Sequence, residues 1–184
     1  LGSDALAAVG SSYTLMTFLT SIIIGLCMGS GAAISMQYGS GDSKKMRQSV
    51  FISFCLIAGI SIALNIIVYI GMDFILWVLQ IPNEIQAMMR DYLEIIFLGI
   101  TATFLYNYFA NLLRAIGNSV LPLVFLAVSA VLNVVLDLVC VLLFNWGVKG
   151  AAIATVFSEF ISAIGIAIYT FKRFKQLIPE KEDM

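Results

Sequence analysis

Apolar residues run through this chain in long blocks, interrupted at a few places by polar clusters. Five blocks are long enough to cross a bilayer core roughly 30 Å thick, for which a helix needs about 20 residues. They cover residues 14–36, 49–71, 92–113, 120–144 and 148–171. The second has an apolar extension toward Leu79, and a polar start near Pro82 leads into the third. The blocks are too long and unbroken for the alternation of a barrel strand. Backbone groups in lipid must be satisfied within their own segment, so each block is predicted as a transmembrane helix. Gly39-Ser40-Gly41-Asp42 stops the first, and Gly117-Asn118-Ser119 with Pro122 separates the third from the fourth. Asn145-Trp146-Gly147 makes a tight turn between the fourth and fifth. The expected fold class is all-α: a polytopic transmembrane helix bundle over residues 1–171, followed by a link over residues 172–184.

Composition strengthens this picture. The chain has 184 residues, 61% apolar and 11% charged, with a mean hydropathy of +1.01. About 25% charge is usual for a soluble domain. Too little charge remains to cover a globular surface in water, so the bilayer is the expected partner. Histidine is absent, which removes triad, Cys-His and HExxH chemistry and argues against an enzyme. A formal net charge of −1 gives no reason to expect nucleic acid. Cys27, Cys55 and Cys140 all lie in apolar blocks without paired spacing, as expected of small core residues rather than disulfides or metal ligands.

The charges that exist report topology. Lys44, Lys45, Arg47, Arg114, Lys172, Arg173, Lys175 and Lys181 gather at one set of span ends, and only Arg90 and Lys149 at the other. By the positive-inside rule the first set is cytoplasmic, placing the amino end outside and the carboxyl end inside a cell membrane. Five spans with an outside start are most simply read as a bundle lacking one upstream helix. No stretch of this sequence has the charged start, short apolar middle and small-residue cleavage site of a signal peptide. Trp77 and Trp146 fall at outer boundaries, where an aromatic belt is expected.

Two acids lie inside spans: Asp137 in the fourth and Glu159 in the fifth. Such residues are costly in lipid and mark functional sites by default. Asn133 lies one turn before Asp137, and Thr155 one turn before Glu159, on the same helix faces. About the tight turn at Trp146, Asp137 levels with Thr155 and Asn133 with Glu159. If the faces converge, the four oxygen-bearing side chains form a hard-ligand site suited to Na⁺ or a shared proton. In the third span Asn107 and Asn111, with Tyr106 and Tyr108 alongside, are candidates to line a polar cavity, a pattern that helix–helix hydrogen bonding explains equally well. Arg90, Asp91 and Glu94 crowd the start of that span, where acids suit the helix dipole. Gly25 and Gly29 form a GxxxG pattern that permits close helix packing.

Taken in order, several segments resemble the multidrug and toxic compound extrusion (MATE) transporters. They are Ala5-Leu6-Ala7-Ala8-Val9-Gly10, the Gly29–Gly31 region, the basic loop after Gly41, Asp91-Tyr92-Leu93, and Leu113-Arg114-Ala115-Ile116-Gly117-Asn118 with Pro122. Leu132-Asn133 with Asp137 and Gly150-Ala151-Ala152-Ile153-Ala154-Thr155 complete the set. The resemblance implies an amino-terminal lobe lacking its first helix, with the carboxyl end linking to a second lobe. It implies an antiporter that exports drugs, amphipathic molecules or organic cations by alternating access, driven by Na⁺ or H⁺ and using no cofactor. It places a cation site, Na⁺ included, on Asn133, Asp137 and Thr155, and the remaining acid of that site on the absent first helix; Glu159 is outside the family pattern. An alternative is a lipid-linked saccharide flippase of the same superfamily, but the spans carry no Lys or Arg away from their ends to receive a pyrophosphate.

Overall fold

The chain reverses after its first helix at Gly41, whose φ of +76° lies where a side chain would be strained. The computed structural model describes residues 3–178. Helix α1 (Ser3–Gly39) precedes this turn and α2 (Ser43–Ile70) follows it. Asp42 caps α2. Its carboxylate accepts the Lys45 backbone N–H at 3.0 Å and pairs with Lys45 Nζ at 3.0 Å.

The backbone hydrogen bond to Lys45, then its side chain, hold the Asp42 carboxyl below the ordinary carboxylate range. A depressed native pKa contributes stability that is fully present above the ordinary aspartate value and is lost as pH falls through the native one. Acidification through that window is therefore expected to raise the exchange of the Lys45 amide, after correction for its intrinsic rate. Asp42→Asn, which caps without charge, should flatten the response. Corrected exchange that stays constant down to about pH 3 would remove the electrostatic role of this cap.

The second apolar block does not continue unbroken to Leu79. The chain breaks at Gly71 and restarts as the short α3 (Met72–Val78), which buries Met72 and Leu76 and leaves Phe74 and Trp77 exposed. Trp77 and Trp146 are 74% and 50% exposed, as an interfacial belt requires.

Helix α4 (Gln86–Ala115) begins earlier than the apolar pattern indicated. Arg90, Asp91 and Glu94 are thus past its first turn, and the dipole explanation fails for them. Arg90 instead pairs with Asp73 of α3, and Asp91 accepts from Lys149 of α6 at 3.1 Å. Each exposed pair is worth about 0–1 kcal/mol. Together they neutralise the two cations at this end of the bundle.

Helix α4 ends by a Schellman closure. Gly117, at φ +86°, donates to Arg114 O at 2.9 Å, and Asn118 donates to Leu113 O at 2.9 Å. Asn118 Oδ1 then accepts from Leu121 N–H at 3.2 Å, opening α5 (Val120–Leu138). The Tyr106 hydroxyl donates to Pro122 O at 2.7 Å and ties α4 to that start. Residues Val139–Leu143 continue α5 as a π turn. Helix α6 (Gly147–Arg173) follows, and a 3₁₀ turn spans Lys175–Leu177. The five long helices are long and apolar enough to cross a membrane.

Helix α4 is the central element, packed against α1, α2 and α6, while α5 packs chiefly on α6. Leu93, Phe97, Ile100, Phe104 and Tyr108 of α4 are buried with Ile23 and Cys27 of α1 and Val50 and Ile57 of α2. The Tyr108 hydroxyl donates to Val50 O at 2.6 Å and lies 3.0 Å from Ser53 Oγ, so its polar tip is satisfied inside an aromatic cluster with Phe54, Phe104 and Phe109. Cys27 and Cys140 are buried, but Cys55 is exposed on the outward face of α2 and is no core residue. Gly25 and Gly29 face open space, so the GxxxG pattern mediates no packing among the described residues. Gly31 makes the close approach instead: a Cβ there would stand 3.2 Å from Asn111 Cβ.

Candidate functional site

The α5–α6 hairpin brings Asn133 and Thr155 together. Asn133 Nδ2 donates to Thr155 Oγ1 at 3.2 Å, and that hydroxyl donates back to Ala151 O at 3.0 Å. The sequence register, counted in uniform helical steps from Trp146, pairs Asp137 with Thr155 and Asn133 with Glu159. The structure instead sets Asn133 beside Thr155. The π turn contributes to this shift, Phe144 N–H reaching back five residues to Val139 O at 3.1 Å, and the length of the Asn133 side chain spans the rest. A π turn takes up an additional residue without a proportionate advance. Residues before it therefore sit nearer the hairpin's tip than uniform α-helical steps allow.

Asp137 lies one turn from Asn133 on α5. Its Oδ1 is buried and has no hydrogen-bond partner. A buried carboxylate oxygen without a donor is costly. A cation or a proton at this point satisfies it. The donor set here is a carboxylate, an amide oxygen and a hydroxyl, all hard ligands of the kind that take Na⁺.

Glu159 turns toward α4 rather than joining Asn133. Its side chain bonds Thr103, and Gly99 is placed so that a Cβ there would meet Glu159 Oε2 at 3.3 Å. Two cavities flank this carboxylate. One, of about 320 Å³, is lined by Thr103, Tyr106, Asn107, Arg114, Ser129 and Ser162 besides Glu159. The other, of about 290 Å³, is lined by Tyr13, Met16, Tyr92, Ile96 and Thr155 besides Glu159. Tyr106 and Asn107 line this cavity and are also hydrogen-bonded within the bundle, Tyr106 to Pro122 O and Asn107 Nδ2 to Thr103 O at 2.9 Å. Asn111 does not line it; its amide donates to Asn107 O at 2.8 Å and its side chain packs on Gly31. Tyr108 belongs to the aromatic core.

Sequence reasoning missed Thr103, Ser129, Ser162 and the cavity role of Arg114. Single hydroxyls in an apolar helix carry no distinguishing signal, because they also bond their own backbone. Ser162 Oγ in fact donates to Phe125 O on α5 at 2.9 Å. Arg114 stands at a span end and so registers in the sequence only as a topological charge.

With this geometry in hand, the relatives are informative. The MatE family model matches residues 1–139. A probable multidrug resistance protein of Bacillus subtilis (strain 168), YpnP, is 33% identical over 179 residues, covering 97% of this chain and 40% of that protein. Among solved structures, the Vibrio cholerae MATE transporter VcmN in the bent form is similar with a TM-score of 0.84 and 27% identity over 97% of this chain and 40% of that one. A MATE in complex with MaD3S superposes with a TM-score of 0.92 over 100% of this chain and 42% of that one; at 24% identity this likeness shows the fold alone. The chain spans about 40% of the length of the curated relative.

Proposed function

Because the chain belongs to the MatE family, whose members are transporters and not enzymes, we propose that it is one lobe of a cation-coupled antiporter. That antiporter exports amphipathic or cationic small molecules by alternating access. The observation that carries this reading is the partnerless Asp137 Oδ1 one turn from the Asn133–Thr155 pair, inside an apolar span. The names of relatives support the substrate class: YpnP is called a probable multidrug resistance protein.

In this reading Asp137 binds inward-moving Na⁺ or H⁺, Asn133 and Thr155 shape the site, and Glu159 is a second carboxylate one turn from Thr155 on α6. The Arg114 end of the bundle is cytoplasmic. A ligand shifts a conformational equilibrium only by its differential affinity for the two states. Ion binding between α5 and α6 does this by favouring the packing in which Asn133, Asp137 and Thr155 converge. Substrate release and ion entry are then two sides of one equilibrium, as in other transporters with midplane sites.

The test uses the full-length transporter containing this lobe, reconstituted in liposomes with a fluorescent organic cation. Movement is expected when a Na⁺ or pH gradient is imposed and should collapse when an ionophore dissipates it. Equal movement with and without a gradient would mark a channel or a flippase and end this reading.

A further inference from the structure

Glu159 is the one side chain, among the described residues, that lines both flanking cavities. One cavity opens along the Tyr92 half of α4, the other along the Arg114 half, so the two are stacked along the helix axes with this carboxylate between them. We infer that Glu159 is a proton-transfer junction connecting the two cavities, a role separate from cation binding at Asp137. This inference rests on the antiport reading above and specifies how one coupling ion passes through the lobe.

The linings argue for a proton rather than a larger cation. On the Tyr92 side the polar groups are the hydroxyls of Tyr13, Tyr92 and Thr155. On the Arg114 side they are the hydroxyls of Thr103, Tyr106, Ser129 and Ser162 and the Asn107 amide. The Tyr13, Tyr92 and Ser129 hydroxyls can both donate and accept, whereas those of Thr155, Tyr106 and Ser162 already donate to the Ala151, Pro122 and Phe125 carbonyls and offer water their lone pairs. Each cavity has room for several waters and enough polar partners to order them. A metal cation at this carboxylate needs several converging oxygens. A proton needs one base.

The titratable and charged groups facing Glu159 across these linings are Tyr13 from α1 and Tyr92, Tyr106 and Arg114 from α4; α5 contributes Leu126 and Ser129, neither of them charged. The step balances without electron transfer. A hydronium in the Tyr92-side cavity gives its proton to the Glu159 carboxylate and leaves as water. Once the lobe changes state, the resulting carboxylic acid gives that proton to a water in the Arg114-side cavity, restoring the carboxylate. The Thr103 hydroxyl holds the side chain at the junction throughout.

The experiment is proton uptake into liposomes carrying the full-length transporter, read with an internal pH dye while substrate moves out. Glu159→Gln keeps the size and hydrogen bonds of the side chain but cannot take up a proton. It is expected to lower substrate-coupled proton uptake by about a hundredfold or more, the lower end for losing a positioned acid–base group. Unchanged proton uptake in Glu159→Gln overturns the inference, as does wild-type efflux driven by Na⁺ and indifferent to pH; neither result touches the antiport reading. Wild-type protein that moves substrate under no gradient overturns that reading itself. Should Glu159→Gln fail to fold, Glu159→Asp decides. A retained carboxyl at shorter reach is expected to slow proton uptake and displace its pH profile, and a profile identical to wild type overturns the inference.

Discussion

Asp137→Asn is expected to abolish gradient-driven efflux by the full-length transporter while leaving it folded. The substitution keeps volume and polarity but removes the negative charge to which the proposed function assigns the coupling cation. A unit charge pair about 4 Å apart is worth on the order of 4 kcal/mol at an effective dielectric of 20. Roughly a thousandfold of ion affinity then depends on that charge. Asn133→Ala removes a neutral amide whose bond to Thr155 contributes about 1 kcal/mol, so its effect should be nearer fivefold. The ordering matters as much as the size. Efflux rates under a fixed gradient should fall in the order wild type, Asn133→Ala, Asp137→Asn. Undiminished efflux by Asp137→Asn would take the coupling role from this residue, whatever the behaviour of its neighbours.

Gly150→Ala is the second substitution with a large expected effect, and here the sign is informative. Within a helix, exchanging Gly for Ala ordinarily stabilises by about 0.5–1 kcal/mol. At Gly150 the added Cβ would stand 2.9 Å from Trp146 Cβ and 3.2 Å from both Cys140 Cβ and Cys140 O. None of these is the end of a flexible side chain, so the hairpin must open. Overpacking of this kind costs about 1–3 kcal/mol, which outweighs the propensity gain. Because Cys140 belongs to the π turn between Asn133 and the hairpin's tip, the ion response of transport should weaken together with stability. Gly29→Ala is the matched control. Its Cβ meets nothing within 4 Å, so it should be neutral or slightly stabilising. Detergent-solubilised unfolding of both variants decides the matter, and a Gly150→Ala protein more stable than wild type would remove steric closure as the reason for glycine there.

The five spans were legible because length and apolarity are one-dimensional properties, and the bilayer imposes both on the sequence directly. Residue roles that depend on rotation or register were less legible. Asn133, Thr155 and Asp137 were identified by polarity within apolar runs. Their pairing was misread by one turn because uniform steps from Trp146 ignore both the π turn at Val139–Leu143 and the reach of the Asn133 side chain. Asp91 looked like a dipole partner because the apolar pattern starts at Tyr92, whereas α4 begins with the polar turn at Gln86. Cys55 looked like a core residue because apolar residues in a membrane protein face lipid as readily as protein; composition does not separate the two. Glu159 was found as a buried acid, but its place between two cavities depends on Gly99 and Thr103 of α4, far away in sequence.

The arrangement around α4 also bears on how the bundle is made. This helix is the least apolar of the five spans and the most enclosed by its neighbours, while α5 is the most apolar and the least enclosed. During synthesis α5 is therefore expected to enter lipid on its own strength, whereas α4 gains more from burying Phe97, Phe104 and Tyr108 against its neighbours, of which α1 and α2 are made first. Assembly is expected to proceed by capture of α4 between the first two helices. The α5–α6 hairpin then docks through α6, which makes the junction at Glu159 among the last contacts to be completed.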